Sequence, residues 1–188
     1  MRILILAFLS SAAIFGQADA SSEPLPFKSA ANKWGISTSI LLDVSAMWLL
    51  PLPALEAKVS IPLGRKWQLT VPVRMYAFDL PRSWIDTRDS SQIHCFDISS
   101  GIGIRKSWTL FNWRRVEMLY FLEPSLRAGY YSYYQQGGWI GGYVQHGILM
   151  DLFNGLTFGV GGGLSGGIFI KSWPFFNVEF STTFGYSW

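Results

Sequence analysis

The sequence predicts an all-β protein, an eight-stranded antiparallel up-and-down transmembrane β-barrel, and three observations lead there. The final stretch, residues 176–188, alternates without a break. Phe176, Val178, Phe180, Thr182, Phe184, Tyr186 and Trp188 share one face, and Asn177, Glu179, Ser181, Thr183, Gly185 and Ser187 share the other, the period of two expected of a strand. Charged residues make up only 14% of the chain and aromatics 16%, against about 25% charged in an average soluble domain. Past residue 20 every long apolar stretch is interrupted; Asp43, Pro51 and Pro53 break the best candidate, residues 36–55. A chain this apolar without a membrane helix is left with the other spanning structure, a closed barrel.

Taken in order, the chain opens with Arg2, an apolar run from Ile3 to Phe15, and the small residues Ala18 and Ala20. This reads as a secretory signal peptide over residues 1–20, the apolar run being too short to span a bilayer. Residues 21–33 carry Ser, Pro and Lys without periodicity and read as a flexible lead-in, and residues 34–188 form the barrel domain. The first strand sets Trp34, Ile36, Thr38, Ile40, Leu42, Val44 and Trp48 against Gly35, Ser37, Ser39, Asp43 and Ser45, and is expected to stop at Pro51 and Pro53, since proline cannot donate to a ladder. The second, residues 54–61, sets Leu55, Ala57, Val59 and Ile61 against Glu56, Lys58 and Ser60, and residues 63–66 turn it tightly.

The third strand, residues 67–77, opposes Leu69, Val71, Val73 and Met75 to Gln68, Thr70, Arg74 and Tyr76, before a polar loop over residues 78–92. The fourth, residues 93–105, opposes Phe96, Ile98, Ile102 and Ile104 to Asp97, Ser99, Gly101, Gly103 and Arg105. The basic and aromatic residues 106–115 follow without a clear hairpin, and are long for a turn. The fifth, residues 116–131, opposes Met118, Tyr120, Leu122, Leu126 and Tyr130 to Glu123, Ser125, Arg127 and Gly129. After a loop over residues 133–138, the sixth, residues 139–150, opposes Ile140, Val144, Ile148 and Met150 to Tyr143, Gln145 and Gly147. Asn154-Gly155 is a hairpin signal of the type I′ kind. It leads to the seventh, residues 156–170, with Leu156, Phe158, Val160, Leu164 and Ile168 opposite Thr157, Gly159, Gly161, Gly163 and Ser165.

Alternation alone also suits a soluble barrel with its apolar face inward. The polar parity decides, because it is mostly Gly, Ser and Thr, as a narrow lumen requires, rather than the Lys, Glu, Gln and Asn of a wetted exterior. Trp34, Trp48, Trp67, Tyr130, Trp139, Tyr186 and Trp188 fall toward strand ends, as an interfacial girdle does. With the leader, the eight alternating segments and the aromatic ending of Phe184, Tyr186 and Trp188, the chain resembles the small bacterial outer-membrane barrels of OmpA/OmpX type. That resemblance implies insertion into outer-membrane lipid, recognition of the C-terminal strand by the barrel-assembly machinery, and an even strand count with both ends in the periplasm. It puts the turns at 63–66 and 151–155 in the periplasm and the 78–92 loop outside, where an extracellular ligand would be met.

The same parity places Asp43, Glu56, Asp97, Glu123 and Glu179 inside with Lys58, Arg74, Arg105 and Arg127. Buried charges persist when paired, so these nine are expected to form a lumen network that plugs the barrel. Glu123 and Arg127 share a strand, about 13 Å apart, and need partners elsewhere: Arg105 or Arg74 for the first, Asp97 or Glu56 for the second. A conducting lumen for small solutes is the alternative. His146 shares the lipid-facing parity and is the candidate catalytic residue of a second alternative, a lipid-modifying enzyme. It resembles the catalytic His of the outer-membrane lipid A deacylases, but those carry Ser two residues later, where this chain has Ile148. His94, at the loop edge, reads as solvated.

The leading expectation is therefore a non-enzymatic barrel with a structural or loop-mediated role. Gly161, Gly163 and Gly166 match a dinucleotide-binding pattern, yet they lie inside an alternating strand and read as relief of lumen crowding. No cofactor and no metal site is expected from the spacing of His, Cys, Asp and Glu. Cys95, the one cysteine, reads as a small interior residue. A net charge of +3 with no basic run excludes nucleic acid as a partner.

Overall fold

Eight antiparallel strands close on themselves in chain order in the computed structural model, which describes residues 30–45, 51–81, 92–113, 116–132, 136–152, 155–170 and 174–188. The strands are β1 (Gly35–Ser45), β2 (Pro51–Gly64), β3 (Trp67–Pro81), β4 (Gln92–Trp113), β5 (Val116–Ser132), β6 (Gln136–Leu152), β7 (Leu156–Phe169) and β8 (Pro174–Ser187). Each pairs with its neighbours in sequence, and β8 returns to β1. Closure matters because in lipid an unpaired strand edge has no water to satisfy it.

The size of the barrel follows from its register. Stepping across successive pairs from Gly35 leads through Ser60, Thr70, Gly103, Ser125, Tyr143, Ser165 and Asn177, and returns to β1 at Ser45. The path comes back ten residues further on, so the shear is ten. Eight strands at that stagger tilt by roughly 40° and enclose a lumen that side chains can fill. Most residues on this path are small, which is why the backbones can close so tightly.

Burial follows the strand parity and inverts the soluble pattern. Outward positions such as Leu126, Ile102 and Val160 are 72%, 62% and 60% exposed, while Arg74 and Glu123 are fully enclosed at 0%. A water-soluble fold does not expose its aliphatics and bury its ions. Lumen glycines make room for the large side chains opposite. A Cβ at Gly129 would lie 2.6 Å from the Trp139 ring, and one at Gly159 would lie 2.4 Å from Leu149.

Both termini and the turns after β2, β4 and β6 share one end of the barrel, here the terminal end. Gly64 carries φ of +88°, with Arg65 and Lys66 also at positive φ in that first turn, and Gly155 sits at +108° in the third. The expected signal peptide (residues 1–20), residues 21–29, Trp48 and Asn154 lie outside the described residues.

Several boundaries differ from expectation. Pro51 and Pro53 do not end the first strand; they begin β2, opposite Val44 and Leu42. Prolines two apart leave both missing donors on one edge of the strand, so the other edge is free to pair. β4 does not stop at Arg105 but runs to Trp113, so residues 106–113 are strand and the hairpin is short. β3 runs on to Pro81, the remainder of the expected 78–92 loop up to residue 91 lies outside the described residues, and His94 lies within β4, paired with Asp79. β6 begins at Gln136 and takes in part of the expected 133–138 loop. The lead-in is ordered at its end, where Ala30–Asn32 form a 3-10 turn.

The seam between β8 and β1 is sealed by reciprocal bonds, Trp34 N–H to Trp188 O at 3.1 Å and Trp188 N–H to Trp34 O at 2.9 Å. Ser187 N–H also donates to Gly155 O at 2.7 Å. Deleting the last five residues removes pairs to both β1 and β7. The truncated chain is expected not to close in detergent micelles, which loss of heat-modifiable gel mobility would report; a truncated protein that stays heat-modifiable contradicts this.

Candidate functional site in the barrel lumen

Inward parity on six strands delivers the charged side chains to the middle of the lumen, and the narrow bore brings them into contact. Glu56 is the hub. Its carboxylate meets Lys58 Nζ at 3.1 Å, Arg74 Nη2 at 3.0 Å and Arg127 Nη1 at 2.6 Å. Arg74 lies beside Glu56 in register on β3 and reaches across to Glu179 on β8 at 2.6 Å. Glu123 binds Lys58 at 2.8 Å and Arg105 at 2.7 Å, and accepts the Thr70 hydroxyl at 3.0 Å.

Asp43 joins through neutral partners, which matters because it pairs in register with Glu179, a like-charge neighbour. The Tyr76 hydroxyl donates to Asp43, and Arg74 donates to the Tyr76 oxygen at 3.1 Å. Asn177 adds a longer bond to the same Asp43 oxygen at 3.4 Å. Gln145 links two ions, accepting from Lys58 at 3.0 Å and donating to Glu179 at 3.3 Å. The Tyr143 ring lies between two guanidiniums, 4.3 Å from Arg127 and 4.9 Å from Arg74, a cation–π arrangement that a desolvated site strengthens.

The structure thus brings together eight of the nine expected lumen charges in one connected set: Asp43, Glu56, Glu123 and Glu179 with Lys58, Arg74, Arg105 and Arg127. Glu123 takes Arg105, and Arg127 takes Glu56. Asp97 lies toward the opposite end, where its Oδ2 accepts the Trp139 indole N–H at 3.0 Å. Trp139 therefore belongs to the lumen and not to the lipid-facing girdle, a correction to the sequence reading. Parity alone would have found it, since Trp139, Tyr143 and Gln145 share an inward face.

Layers of apolar residues pack in the lumen above and below the charges. Toward the far end Tyr131, Trp139, Tyr143 and Phe175 pack together, with Phe169 against them. Leu41, Ala54 and Tyr76 form a smaller group. At the terminal end Ala31 of the 3-10 turn packs onto Leu119, Phe121 and Leu149. That turn is tethered by Lys33 to Asp151 at 3.4 Å and by the Lys66 N–H to Asn32 Oδ1 at 3.0 Å. Between it and Arg105 lies a cavity of about 30 Å³, room for one or two waters.

On the exterior His146 is exposed, facing Leu122 and Gly162 in register, with the Tyr120 ring 6.3 Å away. Neither in-register neighbour offers a hydroxyl to activate. Cys95 is buried. Among the described residues no group of three or more His, Cys, Asp or Glu is placed to hold a metal ion.

A closed eight-stranded barrel with an apolar exterior and an ionic lumen is the fold of the small outer-membrane β-barrels. Among solved structures it is similar to neisserial surface protein A (NspA), at a TM-score of 0.58 and 12% identity over 82% of this chain and 96% of that one. The N-terminal barrel domain of OprF from Pseudomonas aeruginosa aligns at 0.44 and 9% identity, over 81% and 97% of the two chains. Ail of Yersinia pestis aligns at 0.48 and 7%, over 83% and 97%. The likeness to NspA carries the fold; the other two fall too low to add to it. No protein-family model matches the chain, and none of the curated proteins compared with it matches.

Glu56→Gln removes three ion pairs at once and leaves Arg127 without a salt bridge among the described residues, while Lys58 keeps Glu123 and Arg74 keeps Glu179. It is expected to cost about 3–5 kcal/mol, the range for breaking a buried pair, as a fall in unfolding free energy in urea. Arg127→Met should cost less, since Glu56 keeps Lys58 and Arg74. The reverse order would show that Glu56 is not the hub.

Proposed function

We propose that the protein is a non-enzymatic integral outer-membrane barrel, structural or interactive through the loops at its far end, with its lumen plugged by paired charges. The observation that carries this is the inversion of burial, apolar residues outside and ions inside, which only a lipid surround stabilises. On this reading residues 1–20 are a cleaved signal peptide and the terminal end faces the periplasm. Outer-membrane lipid covers the exterior, and the far end would meet any extracellular ligand. Phe184, Tyr186 and Trp188, all exposed along β8, form the assembly signal for the barrel-assembly machinery.

The plugged lumen is supported by bridges that run across the bore. Lys58 on β2 reaches Glu123 on β5, Arg127 on β5 reaches Glu56 on β2, and Arg74 on β3 reaches Glu179 on β8. A conduction path would have to break these contacts. The purified protein is accordingly expected to give no steady conductance in planar bilayers. Stable, ion-selective steps, with selectivity altered by Arg127→Ala, would replace this reading with a channel.

The enzyme alternative needs a nucleophile beside His146, and its in-register neighbours are Leu122 and Gly162. His146→Ala is expected to leave the lipid A profile of expressing cells unchanged by mass spectrometry. An acyl chain removed or added by the wild type and not by the variant would make His146 catalytic.

A further inference from the structure

We propose that the β4–β5 hairpin is a headgroup anchor that takes anionic phospholipid from the leaflet at the terminal end; this rests on the outer-membrane reading above. β4 is 22 residues long, but its pairing with β3 ends at Lys106 opposite Trp67, and the Ser107 N–H makes the last ladder bond, to Lys66 O at 3.0 Å. Beyond that point β4 pairs with β5 alone. A register shift between Thr109 and Phe111 adds one residue to the strand, and such a bulge re-aims the side chains that follow. As a result Trp108, Phe111 and Trp113 lie opposite Tyr120, Met118 and Val116. All three aromatics face outward and are 44%, 53% and 58% exposed.

Their depth can be read from the strand. The outward face of β4 from Phe96 to Trp108, at about 3.3 Å per residue and roughly 40° of tilt, rises about 30 Å, which already spans a hydrocarbon core. Phe111 and Trp113 therefore lie roughly 5 and 10 Å further, at the level of the headgroups, where aromatic rings partition. A soluble partner would have to displace lipid from a face continuous with Ile102 and Ile104 in the exposed belt.

The cations are at the same place. Arg65 is exposed at the tip of the β2–β3 turn. Lys106 is fixed beside it, its Nζ donating to Arg65 O at 2.9 Å and lying 4.8 Å from the Trp67 ring centre. Lys66 in the same turn is directed to Glu117 at 3.5 Å and to Thr109, so its charge is met within the protein. The β6–β7 hairpin at this end has no basic side chain among its described residues. Among the described residues, two cations beside a raft of aromatics on one side are complementary to a phosphate on an apolar tail, and not to a zwitterionic surface at large.

The full mature chain, folded into vesicles of equal phosphatidylglycerol and phosphatidylcholine and extracted in mild detergent, would be read by native mass spectrometry for retained lipid. Wild type is expected to retain phosphatidylglycerol preferentially. Arg65→Gln with Lys106→Gln should lower that retention by roughly thirtyfold, at about one kcal/mol for each cation near an anionic surface. Trp113→Ala should lower retention of both lipids, and heat-modifiable mobility confirms that each variant is folded. Equal retention of the two lipids by wild type, or no change in the double variant, overturns the anchor while leaving the barrel reading intact. Capture of soluble polyglutamate as strongly as lipid would assign the patch to an acidic protein instead. Failure to insert into any vesicle would remove the membrane reading itself, and the anchor with it.

Discussion

The bore is the constraint from which the rest follows. Eight strands at a shear of ten leave a lumen about two side chains across, and closure in lipid leaves no other place for a charge. Once Glu56, Arg74, Glu123 and Arg127 point inward they have no water shell and must satisfy one another. Their contacts are therefore not limited to neighbouring strands: Arg74 meets Glu56 beside it and Glu179 across the bore. The braces that neutralise the ions also tie opposite walls together, so polar satisfaction and barrel shape are one requirement.

This explains how much could be read from the sequence. Parity needs only the backbone period of two, so the outward set Leu55, Val59, Ile98, Ile102, Leu126 and Val160 and the inward set Glu56, Lys58, Arg105 and Glu123 were both legible. Which inward ions would meet was legible only as a set of options, because pairing across the bore depends on the shear, a property of all eight registers together. Trp139 was misplaced for a related reason. An aromatic near a strand end suits a girdle, yet its inward parity and the glycine opposite, Gly129, put its ring in the lumen.

Two of the boundary differences have local causes. Pro51 and Pro53 suggest a stop only if both edges of the strand must pair, whereas β2 meets β1 along one edge there, and its pairing with β3 begins at Ala54. The stretch after Arg105 looked aperiodic because the bulge at Thr109 and Phe111 shifts the parity by one. Trp108, Phe111 and Trp113 do not share an alternating register in sequence, yet they share a face in space. A strand pattern that breaks and resumes out of phase is the signature of a bulge, and here the break hides where the hairpin lies.

The lumen holds layers whose chemistry differs. At the terminal mouth Ala31 is held against Leu119, Phe121 and Leu149 by apolar burial, with polar tethers on the adjoining Asn32 and Lys33. In the middle the ionic layer is strong only while complete, since each ion removed leaves another unneutralised. Toward the far end Trp139, Tyr131 and Phe175 fill the bore with rings, and the Trp139 indole N–H is anchored on Asp97. The three respond to different perturbations: added salt reaches only the exposed ends, loss of one ion disturbs the middle, and truncating an aromatic opens the far end. A path through the barrel would have to pass all three, so on the plugged-lumen reading closure does not rest on the salt bridges alone.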